Sequence, residues 1–315
     1  MATRDTHSTQ GDSASGRAVR SRRTNLAVPG SNPRMLDKAK GLPVDQVFLD
    51  LEDSVSPLAK EQARANVVAA LREGGYGTKI RTVRINAVGT QWASADLDAV
   101  VRQAGKDLDC IMLPKASTIQ DVFWLTERLD ALEAELGLTP ESIGIEVQIE
   151  DALGLVNVEA IAACSSRIET IVFGPADFMA SINMKSLTVG LQPRGYTEGD
   201  AYHYVLMRLL VAGRAFARQV IDGPYLGIKD LDGLRLTAQR SAALGFDGKW
   251  VLHPDQIDVV NEIFSPTQDD YDRAELILDA YDFSTSSQGG QRGAVMLGDE
   301  MIDEASRKMA LVILS

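Results

Sequence analysis

The chain reads as an α/β protein built on a TIM (β/α)8 barrel with a small C-terminal helical lid, and three observations predict this. Short β-rich apolar runs alternate with helix-like stretches, the pattern of a parallel sheet with helical crossovers. There are eight such runs, enough to close a barrel. The runs are continuously apolar rather than alternating, as expected when both faces of a sheet are covered. At 315 residues and 45% hydrophobic content the chain is long enough for one such barrel plus extensions, since the fold takes roughly 250 residues.

The expected strands are Asn25–Val28, Gln46–Leu51, Ile80–Ile85, Cys110–Leu113, Gly144–Ile149, Glu169–Phe173, Gln219–Ile221 and Lys249–Leu252. Helical periodicity or composition marks Asn32–Lys40, Pro57–Arg72, Ala93–Ala104, Ile119–Leu136, Val156–Ala163, Ala201–Ala217 and Asp230–Leu244. A last helix, Asp269–Tyr281, follows the eighth strand and completes a barrel spanning 24–283. Residues 1–23 are rich in Ser, Thr, Arg and Gly and carry almost no large apolar side chains. They are expected to be disordered. Residues 284–293 read as a flexible Gly/Ser linker, and Asp299–Ile313 as an amphipathic segment, so 284–315 forms the linker and lid.

A net charge of −12 argues against nucleic acid, which selects a basic footprint. No apolar run approaches the roughly 18 residues of a membrane helix. Cys110 and Cys164 have neither metal-ligand spacing nor a CxxC partner and are expected as buried, reduced thiols of a cytoplasmic protein. No GxSxG elbow, Walker loop or GxGxxG turn is present.

In this fold the chemistry collects at the C-terminal ends of the strands. There the sequence places Val28-Pro-Gly-Ser-Asn32, Asp50-Leu-Glu-Asp53, Arg84-Ile-Asn86, Pro114-Lys115, Glu150-Asp151, Gly174-Pro-Ala-Asp177, Asp222-Gly-Pro224 and His253-Pro-Asp255. Glu150 and Asp177 close neighbouring strands, so both carboxylates can reach one point above the barrel. Two carboxylates plus waters and substrate oxygens suit Mg²⁺. The competing reading is that they cap helices or pair with Lys. Glu52 and Asp53 suit metal-bound waters or, alternatively, a helix-start cap. Arg84 should point into the barrel mouth and needs an anionic partner: a substrate carboxylate or carbonyl, or a protein acid such as Glu52. The turn before Asn32 offers backbone N–H groups to phosphate, and Arg34 and Lys38 would add charge. His253 stands alone at a strand end, with His7 in the tail and His203 at a helix start, so a His-based metal site is not expected.

Eight segments in register carry a resemblance: Leu26-Ala-Val-Pro-Gly-Ser31, Leu49-Asp-Leu-Glu-Asp-Ser-Val55, Val83-Arg-Ile-Asn86, Ile111-Met-Leu-Pro-Lys115, Gln148-Ile-Glu150, Phe173-Gly-Pro-Ala-Asp-Phe178, Gly248-Lys-Trp-Val-Leu-His-Pro254 and Met301-Ile-Asp303. Together the chain resembles the citrate lyase β-subunit-like (HpcH/HpaI aldolase) family, and in particular its malyl-CoA lyase branch, over residues 25 to 310. The resemblance implies a lyase that cleaves a malyl-CoA-like thioester to acetyl-CoA or propionyl-CoA plus glyoxylate. It implies Mg²⁺ (or Mn²⁺) on Glu150 and Asp177, with Arg84 at the keto-acid end and Glu52 and Asp53 near the metal waters. It implies Lys38 at the CoA phosphates, Leu252, His253 and Pro254 along the thioester, and Asp303 as a catalytic acid on a lid. That lid would cover the neighbouring active site of a homotrimer or homohexamer. Asn32 stands where many relatives carry an Arg for CoA, a place that Arg34, Arg22 or Arg23 would have to fill. The same resemblance leaves open a malyl-CoA thioesterase, a citramalyl-CoA lyase, a citrate-lyase-type subunit working with an acyl carrier, and a non-catalytic CoA-binding barrel.

Overall fold

A computed structural model describes residues 20–314. Eight parallel strands close a barrel in sequence order: β1 (Thr24–Pro29), β2 (Gln46–Asp50), β3 (Ile80–Arg84), β4 (Cys110–Leu113), β5 (Gly144–Ile149), β6 (Ile168–Phe173), β7 (Gln219–Asp222) and β8 (Gly248–Val251). Helices α1 (Pro33–Lys40), α2 (Lys60–Glu73), α3 (Ala93–Ala104), α4 (Ile119–Leu136), α5 (Ala152–Ala163), α6 (Pro175–Ser181), α7 (His203–Ala215), α8 (Leu231–Leu244) and α9 (Ile257–Ile263) connect or follow them. The short α6 and α9 are absent from the sequence-based expectation. Each holds only two turns, too few for a periodic signal.

Strand alternation sorts the core into two. One set of side chains, including Val47, Leu49, Val83, Ile111, Val147 and Ile171, packs outward under the helices. The alternate set points inward, where Phe48, Met112, Val172, Ile221 and Trp250 form a separate apolar plug. Phe48 and Trp250 meet edge to face at 4.7 Å. Charged layers lie above and below this plug.

The lower layer overturns part of one expectation. Residues 20–23, assigned to a disordered tail, are ordered, and Arg22 is buried. Its guanidinium donates to Gln46 at 3.0 Å, to Glu146 at 3.2 Å and to Glu169. Arg20 bridges Asp109 and Glu169 at 2.8 and 2.7 Å. Ion pairing, not apolar area, orders this segment, so an apolar count misses it. Burial works to raise the Glu169 carboxyl, but Arg22 and Arg20 hold it down at about 2. Residues 1–19 of the expected tail lie outside the described residues. Arg22 and Arg23 precede β1, at the end of the barrel opposite the strand C-termini, so neither can replace a phosphate contact beside Asn32. Cys110 is buried against this layer, whereas Cys164 is only half-buried.

Residues 265–314 form a second compact unit: α10 (Gln268–Thr285), an antiparallel hairpin of β9 (Ala294–Leu297) and β10 (Glu300–Asp303), and α11 (Glu304–Leu314). A Thr267–Asp270 capping box starts α10. That helix, expected in the barrel, groups with the C-terminal segment instead. The expected linker is a closed turn, with Arg292 N donating to Ser284 O at 2.8 Å and Gln291 N to Ser286 O at 3.0 Å. The hairpin is unforeseen because four-residue strands such as Ala-Val-Met-Leu read equally well as helix.

Removing one member of a buried ion-pair network strands the others. Arg22→Ala is therefore expected to lower stability by about 3–5 kcal/mol in chemical denaturation. A loss under about 1 kcal/mol would show that Glu146 and Glu169 find other compensation.

Candidate active site

The upper charged layer starts from strand register. Asp50 ends β2 directly beside Arg84, which ends β3. Arg84 Nε and Nη2 donate to the two Asp50 oxygens at 2.7 and 2.8 Å, a bidentate pair. Its guanidinium sits 5.2 Å over the Trp250 ring and 5.8 Å over Phe48. The remaining Nη1 faces Glu52 at 3.2 Å and Gln148 at 3.4 Å. Burial favours a neutral Asp50, yet Arg84 and the hydrogen bonds from Ser54 and Glu52 N hold it below the usual carboxylate range. The bland alternative for Arg84, a protein carboxylate partner, is thus realised twice, chiefly by Asp50.

Asp50 also shapes the turn that carries Glu52, accepting from Glu52 N at 2.9 Å and Ser54 N at 3.1 Å. The buried Lys60 fastens that turn from behind. Its ammonium donates to Leu51 O and Glu52 O at 2.8 Å each and to Asn86 Oδ1 at 2.7 Å. Glu52 is buried and Asp53 exposed.

Glu150 follows β5 and is buried. Lys115 N donates to its Oε1 at 2.7 Å, and Gln148 Nε2 donates to Oε2. Gly174 makes room for it: a Cβ there would fall 2.4 Å from Glu150 Cβ and 2.5 Å from Oε2. The Glu150 carboxylate therefore lies against the end of β6, three residues before Asp177 in the first turn of α6. Burial pushes the Glu150 carboxyl up to about 8, and the charges of Glu52 and Asp177 add to the rise against the opposing pull of Arg84. Among the described residues no three His, Cys, Asp or Glu side chains form a complete cage. Two carboxylates in a glycine-lined cradle fit a hard divalent cation that keeps waters and substrate oxygens in its shell.

Lys115 joins these acids. Its ammonium pairs with Glu52 and lies 3.5 Å from Asp53 and 3.7 Å from Asp177. Its backbone takes a left-handed φ of 52°, uncommon for a residue with a side chain and a recurrent feature of functional sites. Sequence reading placed Lys115 at a strand end without a role, and it passed over Asp50 and Gln148. Strand parity could have found the last two, because Asp50 shares the inward face with Phe48 and Arg84, and Gln148 shares it with its register partner Val172. No sequence signal gives the φ of Lys115.

The other expected residues are placed as follows. Arg34 and Lys38 are exposed on α1, next to the C-terminal end of β1, with no ion-pair partner among the described residues. Asn32 caps α1, accepting from Met35 N at 3.3 Å, which gives the neutral residue a structural task. Leu252 packs against the apolar plug, while His253 is exposed and caps the short turn Pro254–Gln256. Asp303 belongs to the second unit, where its Oδ1 accepts from Ala305 N at 2.9 Å and Ser306 N at 3.2 Å as the cap of α11.

The sequence pattern of the HpcH/HpaI aldolase/citrate lyase family matches residues 23–254. The L-malyl-CoA/beta-methylmalyl-CoA lyase of Cereibacter sphaeroides (strain ATCC 17029 / ATH 2.4.9) is 36% identical over 303 residues, covering 94% of each chain. The citrate lyase subunit beta of Escherichia coli K12 is 32% identical over 299 residues, covering 95% of this chain and 94% of its own. The crystal structure of CitE from Mycobacterium tuberculosis in complex with magnesium, acetoacetate and coenzyme A superposes with a TM-score of 0.72 at 28% identity, covering 93% of this chain and 97% of its own. The chain belongs to the HpcH/HpaI aldolase/citrate lyase family.

Proposed function

We propose that the protein is a Mg²⁺-dependent carbon–carbon lyase that reversibly cleaves a malyl-CoA-like 3-hydroxy dicarboxylic acyl-CoA to acetyl-CoA or propionyl-CoA plus glyoxylate. The observation that carries this reading is the Glu150 carboxylate seated against Gly174, on the strand end that leads into Asp177. Bound at Glu150 and Asp177, Mg²⁺ would supply Lewis-acid polarisation of the substrate oxygen at the bond to be broken.

The chain's own residues supply the rest. Arg84, locked by Asp50 and two aromatic rings, presents fixed positive charge to the keto-acid end without reorganising during the reaction. Glu52 and Asp53 would hold waters of the bound cation. Arg34 and Lys38 take the CoA phosphates, and Leu252, His253 and Pro254 line the thioester. Cleavage turns the substrate hydroxyl, which gives its proton to a water, into the glyoxylate carbonyl and leaves the thioester as an enolate, whose carbon Asp303 of the partner subunit protonates; in condensation each proton moves the other way. This places the second unit as a lid over a neighbouring site in a homotrimer or homohexamer. The segment 184–200 between α6 and α7 stands where substituent size is sensed, and one methyl is worth only about 1–3 kcal/mol there. The 32% identity to a citrate lyase subunit favours a second reading, in which the acyl group arrives on a carrier protein.

With Mg²⁺ and malyl-CoA the purified chain is expected to release glyoxylate and acetyl-CoA. Free malate would identify a thioesterase, and no turnover of the free CoA ester would favour the carrier-dependent reading. Asp303→Asn is expected to lower glyoxylate release by about 100-fold or more; near-full activity would remove Asp303 from the chemistry.

Glu150 gives a pH signature. A carboxyl raised from its ordinary 4.5 to about 8 in the folded protein costs stability progressively as pH rises through that window. In the metal-free protein, Glu150→Gln is expected to gain on the order of 2–4 kcal/mol over wild type at pH 8, with the gain gone by pH 4.5. Thermal melts in a chelator measure this, and a variant no more stable than wild type at pH 8 contradicts it.

A further inference from the structure

Among the described residues, Lys115 is the one that touches all four acids of the expected metal region. Its backbone N–H donates to Glu150 at 2.7 Å. Its ammonium pairs with Glu52 and stands 3.5 Å from Asp53 and 3.7 Å from Asp177. At its left-handed φ of 52°, Lys115 directs its N–H to Glu150 and its side chain to Glu52, Asp53 and Asp177. A strained conformation of this kind persists only where its surroundings over-determine it. Arg84 cannot do the same work, because two of its three guanidinium nitrogens are committed to Asp50.

We propose that Lys115 is a resident counter-cation: it holds Glu52, Asp53 and Asp177 together in the metal-free protein and competes with the divalent ion for them. The inference rests on the assignment of Glu150 and Asp177 as the metal carboxylates. On cation binding the ammonium gives up its 3.7 Å contact with Asp177 and keeps its pair with Glu52. The backbone bond from Lys115 to Glu150 is unaffected, so that carboxylate stays oriented throughout. Lys115 is thus a positioning residue whose charge sets how tightly the metal is held. It keeps the acids from repelling one another when the site is empty, and it weakens the ion's attraction when the site is full. Affinity is lowered in exchange for a site that is already assembled.

The competition has a sign that a merely structural lysine would not give. A unit positive charge a few ångströms from a divalent ion lowers its affinity by about tenfold even at the dielectric of water. Lys115→Met keeps the approximate length of the side chain and its backbone N–H and removes the ammonium, with its charge and its hydrogen bonds to Glu52 and Asp53. Titration calorimetry of metal-free protein with MgCl₂ is expected to show about tenfold tighter binding in Lys115→Met than in wild type. Metal-free Lys115→Met is expected to melt below wild type, and saturating Mg²⁺ to raise its melting temperature by more than it raises that of wild type. Lys115→Gln should behave as Lys115→Met, and Lys115→Arg as wild type. Unchanged or weaker Mg²⁺ binding in both neutral variants, with equal melting shifts, overturns the proposal. Glu150→Ala separates the two levels of the argument. If Glu150→Ala binds Mg²⁺ as wild type does, the metal assignment fails and this inference falls with it. If Glu150→Ala loses binding while the Lys115 variants show no tightening, only the counter-cation role fails.

Discussion

Everything at the mouth of this barrel follows from the cost of gathering negative charge in a poorly hydrated place. Asp50, Glu52, Asp53, Glu150 and Asp177 meet there, and three of them are buried. Against them stand Arg84 and Lys115, while Lys60 donates to backbone carbonyls and Asn86 and lies over the Trp92 ring. Buried carboxylates must be paired, protonated or bound to a cation. Asp50 takes the first course, with Arg84. Glu150 is pushed toward the second. A divalent cation would offer the third to Glu150 and Asp177 together. The same constraint explains the supporting structure: the Asp50 turn, the Lys60 clamp, the Gly174 cradle and the strained Lys115 each fix a charge in place.

The barrel solves a related problem at its other end. Arg20 and Arg22 close the floor by pairing with Asp109, Glu146 and Glu169. Between floor and mouth lies only a thin apolar plug. Trp250 and Phe48 in that plug are also the surface on which Arg84 rests. Core packing and site geometry therefore share residues, and a change to the plug reaches the mouth directly.

The barrel itself was legible in the sequence, because continuous apolar strands and the chemistry at their ends leave a local pattern. Glu150, Asp177 and Arg84 could be picked out for the same reason. What escaped depends on relations between segments. Asp50 acquires its role only when β2 and β3 pair in register. Lys115 acquires its role from a backbone angle that periodicity does not encode. Arg22 is ordered by acids more than a hundred residues away, against a local composition that reads as disordered. The C-terminal hairpin is too short to show an alternating pattern.

The central claim is that Glu150 and Asp177 form one divalent-cation site. Electron paramagnetic resonance of Mn²⁺ added to the metal-free protein tests it most directly, because the sharp signal of the free aquo ion is lost on binding. The account predicts one tight site per chain in the wild type, displaceable by Mg²⁺, and its loss in Glu150→Gln/Asp177→Asn. Mn²⁺ binding that survives the double substitution would contradict it.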